Sequence, residues 1–324
     1  MAARQRETVQ MESTMTAGKM LKGIVFAQPE GAAELLLDLY LPAATQQSEA
    51  QQSGAQQSEA RKPGALPAVV HFHGGGWRVG SRSSLGPGID ALGLSPIEQF
   101  VEAGFVVASA DCRLSSVANF PAQLLDAKAA VRWLRTHAAD YNVDPDRIYA
   151  WGDSAGGHLA SLVGLTGGAA GYRGRSDDLE ELAGSGDTVA AVAAWYPPTD
   201  LNRMGEQALP DAVARADDPG SREALLIGVQ PADAPDKAAA ASPLTYAGAH
   251  APPFFLAHGT ADRFVPAAQS ATLAAALEAA GADVELLLIE GADHMWSLPD
   301  KSPAAAQEVL DATIDFFRRQ AHAL

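Results

Sequence analysis

The chain has 324 residues, 47% of them apolar, which is enough to bury a sizeable core in one large α/β domain or two small ones. Its formal net charge of −16 leaves no basic patch to neutralise phosphates and argues against a nucleic-acid partner. A lone cysteine, Cys112, excludes an internal disulfide or a thiolate metal site, and no apolar run of about eighteen residues offers a membrane span.

Residues 1–20 are polar and lack the apolar core of a signal peptide. They read as a poorly ordered or short capping segment, and the chain as a cytoplasmic protein. Strand-like runs follow at 23–28 and 34–41. Residues 46–60 are then three tandem copies of a five-residue unit, QQSEA, QQSGA and QQSEA. With no hydrophobic face, such a segment cannot offset its ordering entropy, so a disordered loop insertion is expected at about 43–65. From residue 66 strands alternate with helices. Strands are predicted at 67–72, 105–110, 147–151, 189–195, 253–257 and 284–289. Helices are predicted at 96–103, 121–139, 154–165, 266–280 and 302–322. This alternation implies an α/β fold, a mostly parallel sheet with helices on both faces, whose ligands bind beyond the carboxyl ends of the strands. Two stretches break the rhythm. Residues 167–187 read as a surface loop, and 199–246 as either a small cap over the site or a solvated excursion.

The chemistry begins at Gly152-Asp153-Ser154-Ala155-Gly156, a G-x-S-x-G motif set between a predicted strand and a predicted helix. At ordinary residue frequencies roughly one chain in ten carries this pattern by chance, so its weight rests on context. Strand, sharp turn and helix is the setting in which the serine hydroxyl is pushed out above a sheet as a nucleophile. A serine needs a histidine base and a carboxylate to orient that histidine, in the chain order serine, acid, histidine. Among the histidines beyond the motif's helix, His322 lies in the C-terminal turn, His250 in a Pro/Ala-rich loop, and His258 at a strand end where local hydrogen bonding suits it. His294 follows the last strand, where catalytic groups belong. Asp262 is the carboxylate of the loop after the preceding strand, with Asp200 and Asp293 as rivals. The oxyanion formed on acyl transfer needs aimed backbone N–H groups. Ala155, after the serine, supplies one, and the glycine loop His73-Gly74-Gly75-Gly76-Trp77 supplies the rest. Trp77 and Trp296 flank these loops as candidate walls of a substrate pocket.

Taken together, H-G-G-G-W at 73–77, D-x-R-L at 111–114, G-D-S-A-G-G at 152–157, H-G-x-x-D-x-x-V-P at 258–266 and G-A-D-H at 291–294 resemble the α/β-hydrolases of the hormone-sensitive-lipase and small-carboxylesterase group, nearest its feruloyl- or acetyl-esterase-like subset. The resemblance spans residues 66–296. It implies a single α/β-hydrolase domain over 21–324, a Ser154–His294–Asp262 triad, and oxyanion amides from Gly75, Gly76 and Ala155. It also implies that Asp111 and Arg113 form a structural ion pair near the site. The expected activity is cofactor-free and metal-free hydrolysis of a small ester with a short acyl chain or aryl group. Amide hydrolysis is the alternative on the same fold, and a non-catalytic ligand receptor the alternative of another class. Two departures stand out. Many relatives carry Tyr where Cys112 stands, and the short N-terminal segment implies a more open acyl pocket.

Overall fold

The computed structural model describes residues 11–15, 18–43, 64–91, 93, 95–168 and 186–323. The strands are β1 (Met11–Met15), β2 (Gly18–Ala27), β3 (Leu35–Pro42), β4 (Leu66–Phe72), β5 (Val106–Ala110), β6 (Val143–Asp153), β7 (Val192–Trp195), β8 (Phe254–Gly259) and β9 (Val284–Ile289). They form one sheet in the order β1-β2-β3-β5-β4-β6-β7-β8-β9. The first three run antiparallel to their neighbours, and every pairing from β5 to β9 is parallel. The helices are α1 (Pro87–Ala91), α2 (Pro96–Glu102), α3 (Ala122–Thr136), α4 (Ala155–Leu165), α5 (Met204–Gln207), α6 (Arg222–Ile227), α7 (Pro235–Ala240), α8 (Ala268–Ala279) and α9 (Ala304–Ala323).

The central strands are buried on both faces, so they read as continuous apolar runs. Alternation along them still decides which core each side chain joins. Ala68, Val70 and Phe72 of β4 face one core, with Ile148 and Ala150 of β6, Leu124 and Val131 of α3, Leu159 of α4, and Leu273 of α8. Val69 of β4 faces the other, with Tyr149 and Trp151 of β6, Phe100 of α2, and Val309 and Phe317 of α9. Tyr149 stacks on Phe317 with ring centroids 4.9 Å apart, tying the closing helix to the middle of the sheet.

One expectation changes. Residues 11–15 and 18–20 are not a loose or capping segment but strand, because β1 pairs with β2 and β2 with β3, which satisfies their backbone groups despite a polar sequence. Residues 199–246 form α5, α6, α7 and two short 3-10 turns. Their apolar side chains Leu201, Met204, Leu226 and Ala238 cluster with Trp77, Ala155 and Val265, so the segment folds over the carboxyl ends of the strands. The repeat at 46–60 and most of the loop expected at 167–187 lie outside the described residues. No described helix is long and apolar enough to cross a membrane.

Candidate active site

The strand β6 ends at Asp153 and α4 begins at Ala155, so Ser154 must reverse the chain in one residue. It does so at φ 53°, ψ −118°, a left-handed conformation that costs a non-glycine residue about 1–3 kcal/mol and recurs at functional sites. The strain is held from both sides: Ser154 N–H donates to Trp195 O at 2.8 Å, and Ser154 O accepts from His158 N at 2.9 Å. Gly156 makes the turn sterically possible. A Cβ built there would lie 1.9 Å from Phe72 O, so only glycine lets α4 lie this close to β4.

Asp262, in the loop after β8, accepts from Phe264 N and Val265 N through Oδ1, both at 2.8 Å. Its Oδ2 accepts from His294 Nδ1 at 2.7 Å. Burial raises the affinity of this carboxyl for a proton. Hydrogen bonding and the charges of His258 and His294 outweigh that, and hold the Asp262 carboxyl well below the usual carboxylate range. The carboxylate therefore fixes the proton on Nδ1 of His294 and leaves Nε2 as the basic nitrogen. Phe264 stacks on one side of the His294 ring at 5.2 Å, and Tyr196 packs on it at 4.5 Å.

A cavity of about 360 Å³ is lined by Gly75, Gly76, Ser154, Ala155 and His294, among others, so the serine, the histidine and the glycine loop open onto one space. The Ser154 hydroxyl makes no hydrogen bond among the described residues, which leaves it available to a ligand, a common state before substrate arrives. The amides of Gly75 and Gly76 have no acceptor among the described residues. As the first residue of α4, Ala155 has an N–H with no intrahelical partner. Gly75 sits at φ 109°, and a Cβ there would meet Val79 O at 2.1 Å, so the loop's shape requires glycine. These amides, the helix N-terminus and a histidine held by a carboxylate can together stabilise an oxyanion and shuttle a proton.

Three residues hold this loop: His73, expected from the sequence to pin it by side-chain hydrogen bonds, and Asp153 and His158, which the sequence reading left without a role. Asp153, inside the motif, accepts Gly74 N at 3.0 Å through Oδ1, which also lies 3.7 Å from His71 Nε2. His73 donates from Nδ1 to Gly74 O at 2.7 Å. His158, fully buried, donates from Nε2 to Ala241 O at 2.7 Å, so its Nδ1 must accept, and it does so from Trp77 Nε1 at 3.2 Å. Its place one turn into α4, directly after the motif, was the available signal. His258 bonds locally, to Ser270 Oγ at 2.7 Å and to Val265 O at 2.8 Å.

Several expectations are corrected. Asp111 and Arg113 do not pair with each other: Asp111 pairs with Arg82 at 2.6 Å, and Arg113 grips Asp126 of α3 through two nitrogens at 2.6 and 2.9 Å. Trp296 does not wall the cavity. Met295 and Trp296 both take left-handed φ, 57° and 61°, which turns the indole back into the core against Trp195 and Tyr196, while Met295 lines the cavity instead. Trp77 does line it, with its indole N–H committed to His158. The rival acids are engaged elsewhere. Asp200 accepts its own loop's Asn202 N, and Asp293 accepts His294 N and binds Arg263. Among the described residues no cluster of ligand-type side chains could hold a metal ion.

A serine on a strand-to-helix turn, an acid and a histidine on the loops after later parallel strands, and a glycine loop after an earlier one define an α/β-hydrolase of the hormone-sensitive-lipase group. Within that class the BD-FAE family model matches residues 57–277, and the chain belongs to that family. It is 32% identical over 256 residues to Esterase LipQ of Mycobacterium tuberculosis, an alignment covering 77% of this chain and 54% of that protein. The chain spans about half the length of the curated relatives it matches. A truncated carbohydrate esterase from gut microbiota superposes with a TM-score of 0.74 at 28% identity, covering 95% of this chain and 98% of that one. The thermophilic esterase Est2 of Thermogutta terrifontis superposes with a TM-score of 0.65 at 28% identity, covering 94% of each.

Proposed function

We propose that the protein is a serine carboxylesterase that cleaves short-chain acyl or small aryl esters through an acyl-enzyme. The observation that carries this reading is the 2.7 Å bond from His294 to Asp262 beside a cavity shared with Ser154. His294 Nε2 takes the Ser154 proton as Oγ attacks the ester carbonyl, and the N–H groups of Gly75, Gly76 and Ala155 stabilise the oxyanion. The carbon–oxygen bond to the alcohol then breaks, with the proton passing from His294 to the leaving oxygen. A water, deprotonated by His294, releases the acid and frees Ser154. A modest cavity suits small acyl groups, and Est2 has been seen with propionate bound, with butyrate bound and phosphorylated by paraoxon.

Two measurements test this together. A fluorophosphonate probe should label the wild type and not Ser154→Ala. p-Nitrophenyl acetate should be hydrolysed faster than an N-formyl arylamide. Labelling of Ser154→Ala equal to wild type would sink the serine assignment, and a preference for the formamide would replace esterase with amide hydrolase.

A further inference from the structure

We infer that Arg222 and Arg78 form an anion-recognising wall of this cavity, selecting esters that carry a carboxylate a few atoms from the scissile bond. The inference rests on the esterase reading above and adds the chemistry of the group beside the ester. In a chain of net charge −16, cations find partners easily. Every other described arginine donates from its guanidinium to a carboxylate or carbonyl: Arg82, Arg113, Arg132, Arg135, Arg147, Arg203, Arg215, Arg263, Arg318 and Arg319. Arg78 and Arg222 alone make no guanidinium hydrogen bond or ion pair among the described residues, and both line the cavity.

Their placement ties them to the reacting atoms. The Arg222 stem lies on the glycine loop, so close that a Cβ on Gly76 would come within 2.4 Å of its Cδ. Its guanidinium carbon stands 5.2 Å above the Phe264 ring, which itself stacks on His294. Arg222 thus bridges the loop that receives the oxyanion and the outer wall of the base. Burial disfavours protonated Arg222, Glu223 favours it, and Arg78, which follows that loop directly, is near enough for its charge to disfavour it further. The carboxyls on the lining make no ion pair with the two arginines, although the charge of Glu223 favours protonated Arg222. Asp153 is engaged by Gly74 N, and Glu223 is 5% exposed and forms no ion pair with either arginine. Burial pushes the Glu223 carboxyl up, which further weakens it as a counter-ion. A half-buried guanidinium on Arg222, with the exposed Arg78 at the rim of the same space, is matched by a planar carboxylate.

The test compares 4-acetoxybenzoate with its neutral isostere 4-acetoxybenzamide on the alcohol side, and monomethyl succinate with methyl pentanoate on the acyl side. The quantity read is the ratio of kcat/KM, anionic over neutral, for wild type, Arg222→Gln, Arg78→Gln and Glu223→Gln. On at least one side the wild type should favour the anion by about tenfold, the scale of one charge-assisted hydrogen bond. That ratio should fall toward unity in both arginine variants, rise in Glu223→Gln, and shrink as salt is raised. A ratio on both sides that the arginine variants leave unchanged, or a wild-type preference for the neutral esters on both sides, overturns the inference while leaving the esterase reading intact. If the wild type cleaves none of the four esters, the esterase reading falls and takes this inference with it.

Discussion

Acid should destabilise this protein through His158. The ring is fully buried, its Nε2–H is committed to Ala241 O, and its Nδ1 accepts the Trp77 indole N–H. A second proton on Nδ1 would turn that acceptor into a donor facing a donor. Burial, opposed only in part by the Ala241 carbonyl, lowers the pKa from 6.5 to about 4. The unfolded chain therefore binds a proton that the folded chain refuses, so stability rises with pH through this window. The His158 contribution is complete above the unfolded value of 6.5, is lost as pH falls toward 4, and levels off below that. The full span is worth about 3 kcal/mol, and the step from pH 7 to pH 5 about 2 kcal/mol. For a chain of 324 residues that step corresponds to roughly 3 °C in Tm. The assay is a series of thermal melts between pH 5 and pH 8 for wild type and His158→Asn, whose amide can donate to Ala241 and accept from Trp77 without titrating. The variant's melting curve should shift less with pH by about that amount, whatever its absolute Tm. Parallel pH slopes for the two proteins would refute the reasoning.

Asp262→Asn keeps an acceptor for Phe264 N and Val265 N but turns an N–H toward His294, which favours the tautomer with no base facing the cavity; kcat should fall by about 10³–10⁴-fold while the melting curve stays cooperative. Retained turnover in that variant would move the acid to Asp200 or Asp293. The same substitution tests linkage at low pH. Because the Asp262 carboxyl is held below its ordinary range, its stabilisation is present above about pH 4 and is lost as pH falls further, so the Tm gap between wild type and Asp262→Asn should change between pH 5 and pH 3 and not between pH 7 and pH 5. Gly156→Ala places a methyl 1.9 Å from a backbone oxygen that cannot swing aside, and should cost about 1–3 kcal/mol or more, read as a Tm drop of several degrees or loss of soluble protein. Cys112, whose thiol is pushed up by burial and by Asp126 and Asp111, should resist iodoacetamide at pH 8 while Ser154 remains open to a fluorophosphonate; rapid alkylation would show an exposed thiolate instead.

The candidate residues that the structure brings to one cavity are those whose position follows from the parallel sheet itself. Ser154, Asp262 and His294 stand at the ends of β6, β8 and β9, and parallel strands put all their carboxyl ends on one side, so chain order alone brings them near one another. What was not legible depends on which distant partner wins. Asp111 and Arg113 sit two apart in an extended segment and look like a pair, but Arg82 and Asp126 reach them with better geometry from a loop and a helix. Trp296 is two residues from His294, yet consecutive left-handed residues send it into the core, and no local pattern of Met295 and Trp296 marks that reversal. The strand β1 has a polar sequence and owes its conformation to the hydrogen bonds of β2. Arg222 shows the same rule at the site. It lies in a segment of weak periodicity whose helices are short, so its approach to Gly76 and Phe264 arises only when the segment packs over the strand ends. The part of the cavity that faces the reacting bond is therefore encoded locally and in chain order, whereas the part that would choose the substrate is encoded in long-range packing. A change of substrate preference should accordingly map to residues 199–246 and leave the triad and the glycine loop untouched.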